Sequence, residues 1–247
     1  MAKKTLSVLA IVVAASGSAL IPTVSQAQVA FNVGLFSDYR YRGISQSKLR
    51  PAVQGGVDYT AGAFYVGAWA STIKWTKELG GGGNVEIDLY GGYKGEITKG
   101  LNYDVGILTY QYPGNDLKGI TGETANTTEV YGALTYGPAT VKYSHVVSNG
   151  LFGAPDSKNG YYLDLSAGFE VTDGWMLTPH VGHQRYKGPA SGAGSYWDYA
   201  LTVSKDFSGL VPSLAVVGNS KIDDSFYTVN GKDLAKTTLV VGVKYNF

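Results

Sequence analysis

From Phe31 onward, large apolar residues alternate with small or polar ones in stretches of about ten, a period of two rather than 3.6. Successive side chains of a strand face opposite sides. Val85, Ile87, Leu89 and Tyr93 therefore share one face, and Glu86, Asp88, Tyr90 and Lys94 the other. Tyr161, Leu163, Leu165, Ala167 and Phe169 against Tyr162, Asp164, Ser166 and Glu170 repeat the arrangement. So do Trp197, Tyr199, Leu201 and Val203 against Asp198, Ala200, Thr202 and Ser204. The pattern predicts twelve strands, over 30–42, 51–60, 63–74, 84–95, 101–112, 127–136, 139–148, 160–170, 175–186, 196–206, 211–220 and 237–247. In 63–74 and 211–220 both faces carry apolar side chains, so the alternation assigns neither side.

The connections between these strands come in two sizes that alternate along the chain. Tight turns with Gly or Pro fall at Ala61-Gly62, Glu96 to Gly100, Gly137-Pro138, Val171 to Gly174 and Phe207 to Leu210. Long loops fall between them, at 43–50, 75–83, 113–126, 149–159, 187–195 and 221–236. An even strand number, with both termini and the short turns at one end and the long loops at the other, is the layout of an outer-membrane barrel. The expected fold is thus all-β, an antiparallel up-and-down transmembrane β-barrel. Unpaired amides in hydrocarbon cost several kcal/mol each, and closing the sheet removes its edges.

The final strand sharpens this expectation. Leu239, Val241, Val243, Tyr245 and Phe247 form a lipid-compatible face, while Thr238, Gly242, Lys244 and Asn246 form a water-compatible one. The end at Phe247, with Tyr245 two positions earlier, looks like the carboxy-terminal signal by which outer-membrane barrels are recognised for insertion. That likeness implies the barrel-assembly machinery and outer-membrane lipid as partners. Tyr and Trp at strand ends, with aliphatics between, match aromatic girdles around an apolar band.

The opposite terminus bears on the compartment. Lys3 and Lys4, the apolar run Leu6 to Ala15, and the small residues ending Ser25-Gln26-Ala27 have the order of a secretory signal, with cleavage expected between Ala27 and Gln28. The run is broken by Ser16, Gly17, Ser18 and Pro22, short of the roughly 20 apolar residues of a spanning helix. Residues 1–27 are expected to be a signal peptide and 28–247 a single barrel domain. Cleavage removes two of the 20 basic side chains and none of the 19 acidic ones. A chain so near neutrality does not suit phosphate neutralisation, so nucleic acid is not an expected partner. The absence of cysteine excludes disulfides, thiolate nucleophiles and cysteine-bound metal.

Candidate chemistry lies on the inward parity. Asp38, Arg40 and Arg42 are expected on the first strand, Gln54 and Asp58 on the second, with Ser45-Gln46-Ser47 between them. Such a cluster could line a constriction that selects small polar solutes, or its charges could satisfy one another and plug the lumen. Other inward carboxylates, Glu86, Asp88, Asp104, Glu129, Asp164 and Asp198, outnumber inward bases such as Lys94, Lys142 and Lys244, which predicts a weak cation preference. Twelve strands lie between the eight whose interior side chains fill and the sixteen or more that leave a channel.

Catalytic and metal motifs do not assemble. His145 and Ser148 have residue types suited to an outer-membrane lipid hydrolase, but an odd offset on one strand turns them to opposite faces. The same geometry separates His180 from His183, so no shared metal is expected. Gly80 to Gly83 lacks the Lys-Ser/Thr of a phosphate loop, and Asp223-Asp224 falls short of a calcium ligand set. Asn126-Thr127-Thr128 matches a short glycosylation motif. No catalytic residue and no cofactor is expected.

The residues also carry a family resemblance. Ser37-Asp38-Tyr39-Arg40-Tyr41-Arg42-Gly43-Ile44-Ser45-Gln46-Ser47, Pro51 to Tyr59, Tyr65-x-Gly67-x-Trp69-x-Ser71, Glu86-x-Asp88-x-Tyr90 and Tyr110-x-Tyr112-Pro113-Gly114 resemble the TorF-type porin family. The resemblance is dense over the first third, and Trp197-Asp198-Tyr199 and the end at Phe247 also fit. It implies a bacterial outer-membrane barrel with a signal peptide, and it implies no substrate. The leading expectation is a porin-like channel for passive passage of small hydrophilic solutes or ions. A non-conducting barrel with adhesive or receptor loops is the second, and a secreted soluble β-sandwich the third.

Overall fold

The computed structural model describes residues 27–220 and 225–247. Apart from Ala27, the expected signal peptide lies outside them, as do Asp223 and Asp224; Gln28 opens the first strand. The barrel strands are β1 Gln28–Phe36, β2 Ala52–Ala61, β3 Phe64–Thr72, β4 Val85–Thr98, β5 Leu101–Gln111 and β6 Thr127–Tyr136. They continue as β7 Ala139–Val146, β8 in two pieces, Tyr161–Ala167 and Phe169–Thr172, β9 Trp175–Arg185, β10 Tyr196–Lys205, β11 Leu210–Asn219 and β12 Thr238–Asn246.

Each strand pairs antiparallel with the next, and β12 returns to β1 in the register Asn32↔Asn246 to Phe36↔Gly242. Phe31 and Phe247 exchange both backbone hydrogen bonds, at 2.9 and 3.0 Å, and their rings stack 5.7 Å apart. The result is a closed twelve-stranded barrel with no free edge. All five short turns, Gln28 and Phe247 lie at one end, and the six long loops at the other.

Alternation divides outside from inside. Leu239 and Val241 are each 56% exposed, whereas Val240 between them is 8% exposed. The two strands that the pattern left open are now assigned. Phe64 and Val66 point out while Tyr65, Gly67, Trp69 and Ser71 point in; Leu214 and Val216 point out while Val211, Ser213, Ala215 and Val217 face the lumen.

The abundance of both Gly and Tyr has a structural cause. An inward tyrosine lies flat across the glycine of the neighbouring strand: Tyr90 over Gly67, Tyr65 over Gly92 and Tyr131 over Gly106, each pair directly opposite in register. Phe36 covers its register partner Gly242 in the same way, and Tyr162 reaches Gly182 diagonally with the hydroxyl end of its ring. A side chain at any of these glycines would meet the ring, so the pairing trades one large and one absent side chain for a flat layer of close contact.

Candidate functional site

The expected first strand ends early, and that departure creates the site. Asp38, Arg40 and Arg42 are not on β1; after Phe36 the chain folds into the lumen as a small hairpin, Arg40–Tyr41 paired with Ile44–Ser45. Its turn residues, Arg42 and Gly43, have φ of 46° and 77°, the primed turn that matches strand twist. Alternation alone cannot tell such a hairpin from a continuing strand, because both have period two. Asp38 organises the base, accepting from Arg40 Nε at 2.6 Å, Ser45 Oγ at 2.6 Å and Ser47 Oγ at 2.8 Å. Arg40 then donates to Leu234 O and Lys236 O, both at 3.1 Å, and to Thr238 Oγ1 at 2.7 Å, tying the hairpin to the last loop and β12.

Arg42, at the tip, crosses the lumen. Its guanidinium makes forked hydrogen bonds to Glu129 on β6 at 2.9 and 2.7 Å and to Gln184 on β9 at 2.8 Å, and lies 4.2 Å over the Tyr162 ring. Such a bidentate charge-assisted contact is strong because both partners are withdrawn from water. Beside it, the hydroxyls of Tyr41 and Tyr110 bond each other, and Tyr110 donates to Glu129 at 3.0 Å. Above this layer the loop end is filled by a buried apolar cluster that includes Tyr39, Ile73, Trp75, Leu117, Tyr227 and Leu234. The loop end is closed.

Toward the turn end a cavity of about 400 Å³ remains, reaching from Arg42 and Gly43 to the exposed Gly137 and Pro138. Its position follows from side-chain size. Inward Tyr65, Tyr90 and Tyr131 fill the β3–β6 side: Tyr65 bonds Asp104 and Tyr131, and Tyr90 bonds Asp58. Small residues such as Ala200, Thr202, Ser213 and Ala215 leave the opposite side open.

All eleven residues expected to line a pore lie on the inner side of the wall or on the hairpin, but they separate into two groups. Asp38, Arg40, Arg42, Gln54, Asp164 and Asp198 border the cavity. Asp58, Glu86, Asp88, Asp104 and Glu129 do not: they are engaged or covered by the tyrosine layer and the apolar cluster. Periodicity gives a side chain's face and not what stands in front of it. The cavity also holds a group that sequence reasoning did not assemble. His180 contacts Asp164 at 2.6 Å and Asp198 at 3.6 Å, and Tyr162 donates to both Asp198 oxygens at 3.0 and 3.1 Å. His180 was read only as one half of a failed metal pair; its inward parity beside Asp164 and Asp198 was the signal available.

Outside the spanning strands, Lys48 and Glu78 form an ion pair across the closed end, and Asn230 donates to the same carboxylate at 2.9 Å. These hydrogen bonds, Lys48 first, hold the Glu78 carboxyl below the ordinary glutamate range. A depressed carboxyl stabilises the folded loops above its unfolded pKa and loses that effect as pH falls through the lower, folded value. Amide-exchange protection around Trp75 and Asn230, corrected for the intrinsic pH dependence of exchange, is therefore expected to be steady at pH 5 and above and to fall below about pH 4. Lys48→Gln should flatten that response.

The other singled-out residues have structural partners. His145 faces outward, within 3.2 Å of Tyr143 Oη and Asn159 Oδ1, whereas Ser148 Oγ donates to Gly150 O at 2.9 Å and accepts from Thr128 N. His180 is inside and His183 outside, its ring tilted against Trp197 with centroids 4.6 Å apart. Asn126 accepts the Tyr112 amide at 2.9 Å, fixing the start of its loop.

Comparison with known proteins follows the architecture. A KdgM porin, solved in complex with disordered oligogalacturonate, superposes with a TM-score of 0.55 at 10% identity, over 90% of this chain and 99% of that one. A NanC porin gives 0.55 at 10% identity, over 89% and 99%. At such identity the likeness concerns the fold. No curated protein matches the sequence. A model described as "Bacterial protein of unknown function (Gcw_chp)" matches residues 22–247.

Proposed function

The chain belongs to the Gcw_chp family of bacterial proteins of unknown function, and we propose that it is a porin-like channel of the outer membrane whose loop end is held shut by its own hairpin. Small hydrophilic solutes pass through it without a catalytic step when the hairpin moves aside. The supporting observation is the charged cavity that opens at the turn end and stops at Arg42. A purely structural barrel of this size has no need of a void bordered by charged side chains. The apolar outer face supports placement in lipid.

Selectivity on this reading belongs to the cavity and not to the whole inner face. The carboxylate excess that favoured cations resides largely in Asp58, Glu86, Asp88, Asp104 and Glu129, which do not border the cavity. Its own charged lining is Arg40, Arg42, Lys142 and Lys244 against Asp38, Asp164 and Asp198, with His180 between the last two. With Arg40 paired to Asp38 and Arg42 to Glu129, Lys142 and Lys244 balance Asp164 and Asp198, and we propose little preference between cations and anions. Reversal potentials across a planar bilayer under a salt gradient test this; cation selectivity would return the charge control to the carboxylates behind the tyrosines.

The packed apolar cluster at the loop end favours a second reading, a non-conducting barrel whose loops work at the cell surface. Single-channel recording with solutes of graded size and charge separates the two. Absence of openings under every voltage and solute would favour the surface role.

A further inference from the structure

The outer wall has one chemically exceptional region. Along twelve strands the outward positions are aliphatic, aromatic, small or uncharged polar, with four exceptions: His145, His183, Arg185 and Lys205. Lys205 is at the turn end, over the rings of Trp175 and Phe207. The other three sit together at the loop end, on β7 and β9, which both flank β8. His145 and Arg185 are the two cross-strand partners of the same residue, Tyr161. His183 lies one outward position below Arg185, directly opposite Trp197. The rings join them into one surface, from Tyr143 to Tyr161 at 5.6 Å, Tyr161 to His183 at 5.8 Å and His183 to Trp197 at 4.6 Å.

A cation on a lipid-facing wall is costly unless something anionic meets it. Among the described residues Arg185 makes no ion pair, and the nearby carboxylates Asp164 and Asp198 point to the other side of the wall. The depth is also informative. Trp175 and Arg185 are the ends of β9, and at about 3.3 Å per residue and a tilt of about 40° they lie about 25 Å apart along the barrel axis, the height of an apolar band. With Trp175 in one interface, Arg185 and His145 stand at the headgroup level of the other leaflet.

We propose that His145, Tyr161, His183, Arg185 and Trp197 form a binding site for the phosphate of a phosphorylated lipid in the leaflet at the loop end. Arg185 supplies the forked, permanently charged donor, His183 adds a ring N–H donor, His145 exchanges one of its 3.2 Å contacts with Tyr143 Oη and Asn159 Oδ1 for the phosphate, and the Tyr161 and Trp197 rings pack on the lipid below its headgroup. The inference rests on the proposed membrane setting but not on conduction.

The test refolds the full chain into phosphatidylcholine vesicles containing bis-phosphorylated lipid A or its phosphate-free form, extracts it gently and weighs retained lipid by native mass spectrometry. Heat-modifiable migration on gels reports separately whether the barrel formed in the bilayer. The expected result is one lipid A retained in preference to phosphatidylcholine, retention falling at least tenfold for Arg185→Gln with His145→Gln and unchanged for Lys205→Gln. Equal retention of the phosphate-free lipid, or no loss in the double variant, would overturn it. A barrel that fails to form in vesicles at all would instead count against the membrane reading.

Discussion

Replacing Arg42 with alanine is expected to raise single-channel conductance several-fold over the wild type. Arg42 is the hairpin's charged anchor on the far wall, and its loss leaves Glu129 buried without the guanidinium fork, though still bonded by Tyr110. Breaking one side of a buried pair costs about 3–5 kcal/mol. That strain falls on the hairpin, which already holds Arg42 at positive φ and is the smallest unit able to move without breaking the barrel ladder. Arg42→Lys keeps the charge without the fork, so an intermediate conductance is expected. Arg42→Ala currents equal to wild type would mean that the cluster around Tyr39, Trp75 and Leu234 closes the loop end unaided.

Gly182→Val should cost about 3 kcal/mol or more, the upper range for overpacking, because two things are lost at once. The new side chain takes the space of the Tyr162 ring and approaches the Asp198 carboxylate. Displacing Tyr162 breaks its hydrogen bonds to Asp198 and removes the ring beneath Arg42. The midpoint of urea unfolding in lipid bilayers, followed on gels, measures the effect. Gly132→Val is the control: it faces outward, with the nearest atom of Val105 3.9 Å from where its Cβ would stand, and should leave the midpoint almost unchanged. Similar losses at both positions would mean that β-sheet disruption, not the tyrosine layer, sets the cost.

The barrel was readable in the chain because its two determinants are local. Alternation at Leu239 to Phe247 gives the outer face, and Gly or Pro at Gly137-Pro138 and Asp173-Gly174 gives the tight turns, with φ of 55° at Gly137 and of 46° and 77° at Asp173 and Gly174. The strands at 63–74 and 211–220 resisted assignment because their inward side chains, Trp69, Val211 and Val217 among them, are themselves apolar. They can be so because Trp69 packs against the apolar cluster and the other two border a cavity only partly polar.

The site was half legible. Inward parity found the carboxylates and arginines, and the sequence reading left open whether the charges would line a constriction or satisfy one another. The Asp38–Arg40 and Arg42–Glu129 pairs show that those four charges do satisfy one another, with Arg42 spanning the lumen as it does so. The hairpin could not be seen, since Asp38, Arg40 and Arg42 continue the alternation of β1 without interruption. The exclusion of Glu86 and Asp88 from the cavity depends on Tyr39, Tyr112 and Trp69, which come from the hairpin, the β5 end and β3, and no single-strand pattern holds that information.

Because the chain has no cysteine, a single one can be placed at each position from 238 to 244, spin-labelled, and its exposure to oxygen and to a water-soluble nickel chelate compared in lipid vesicles. A closed barrel with a lipid-facing exterior predicts alternation, with positions 239, 241 and 243 open to oxygen and 238, 240, 242 and 244 shielded from it. Uniform accessibility along the segment, or odd positions reached by the nickel chelate alone, would contradict the barrel account.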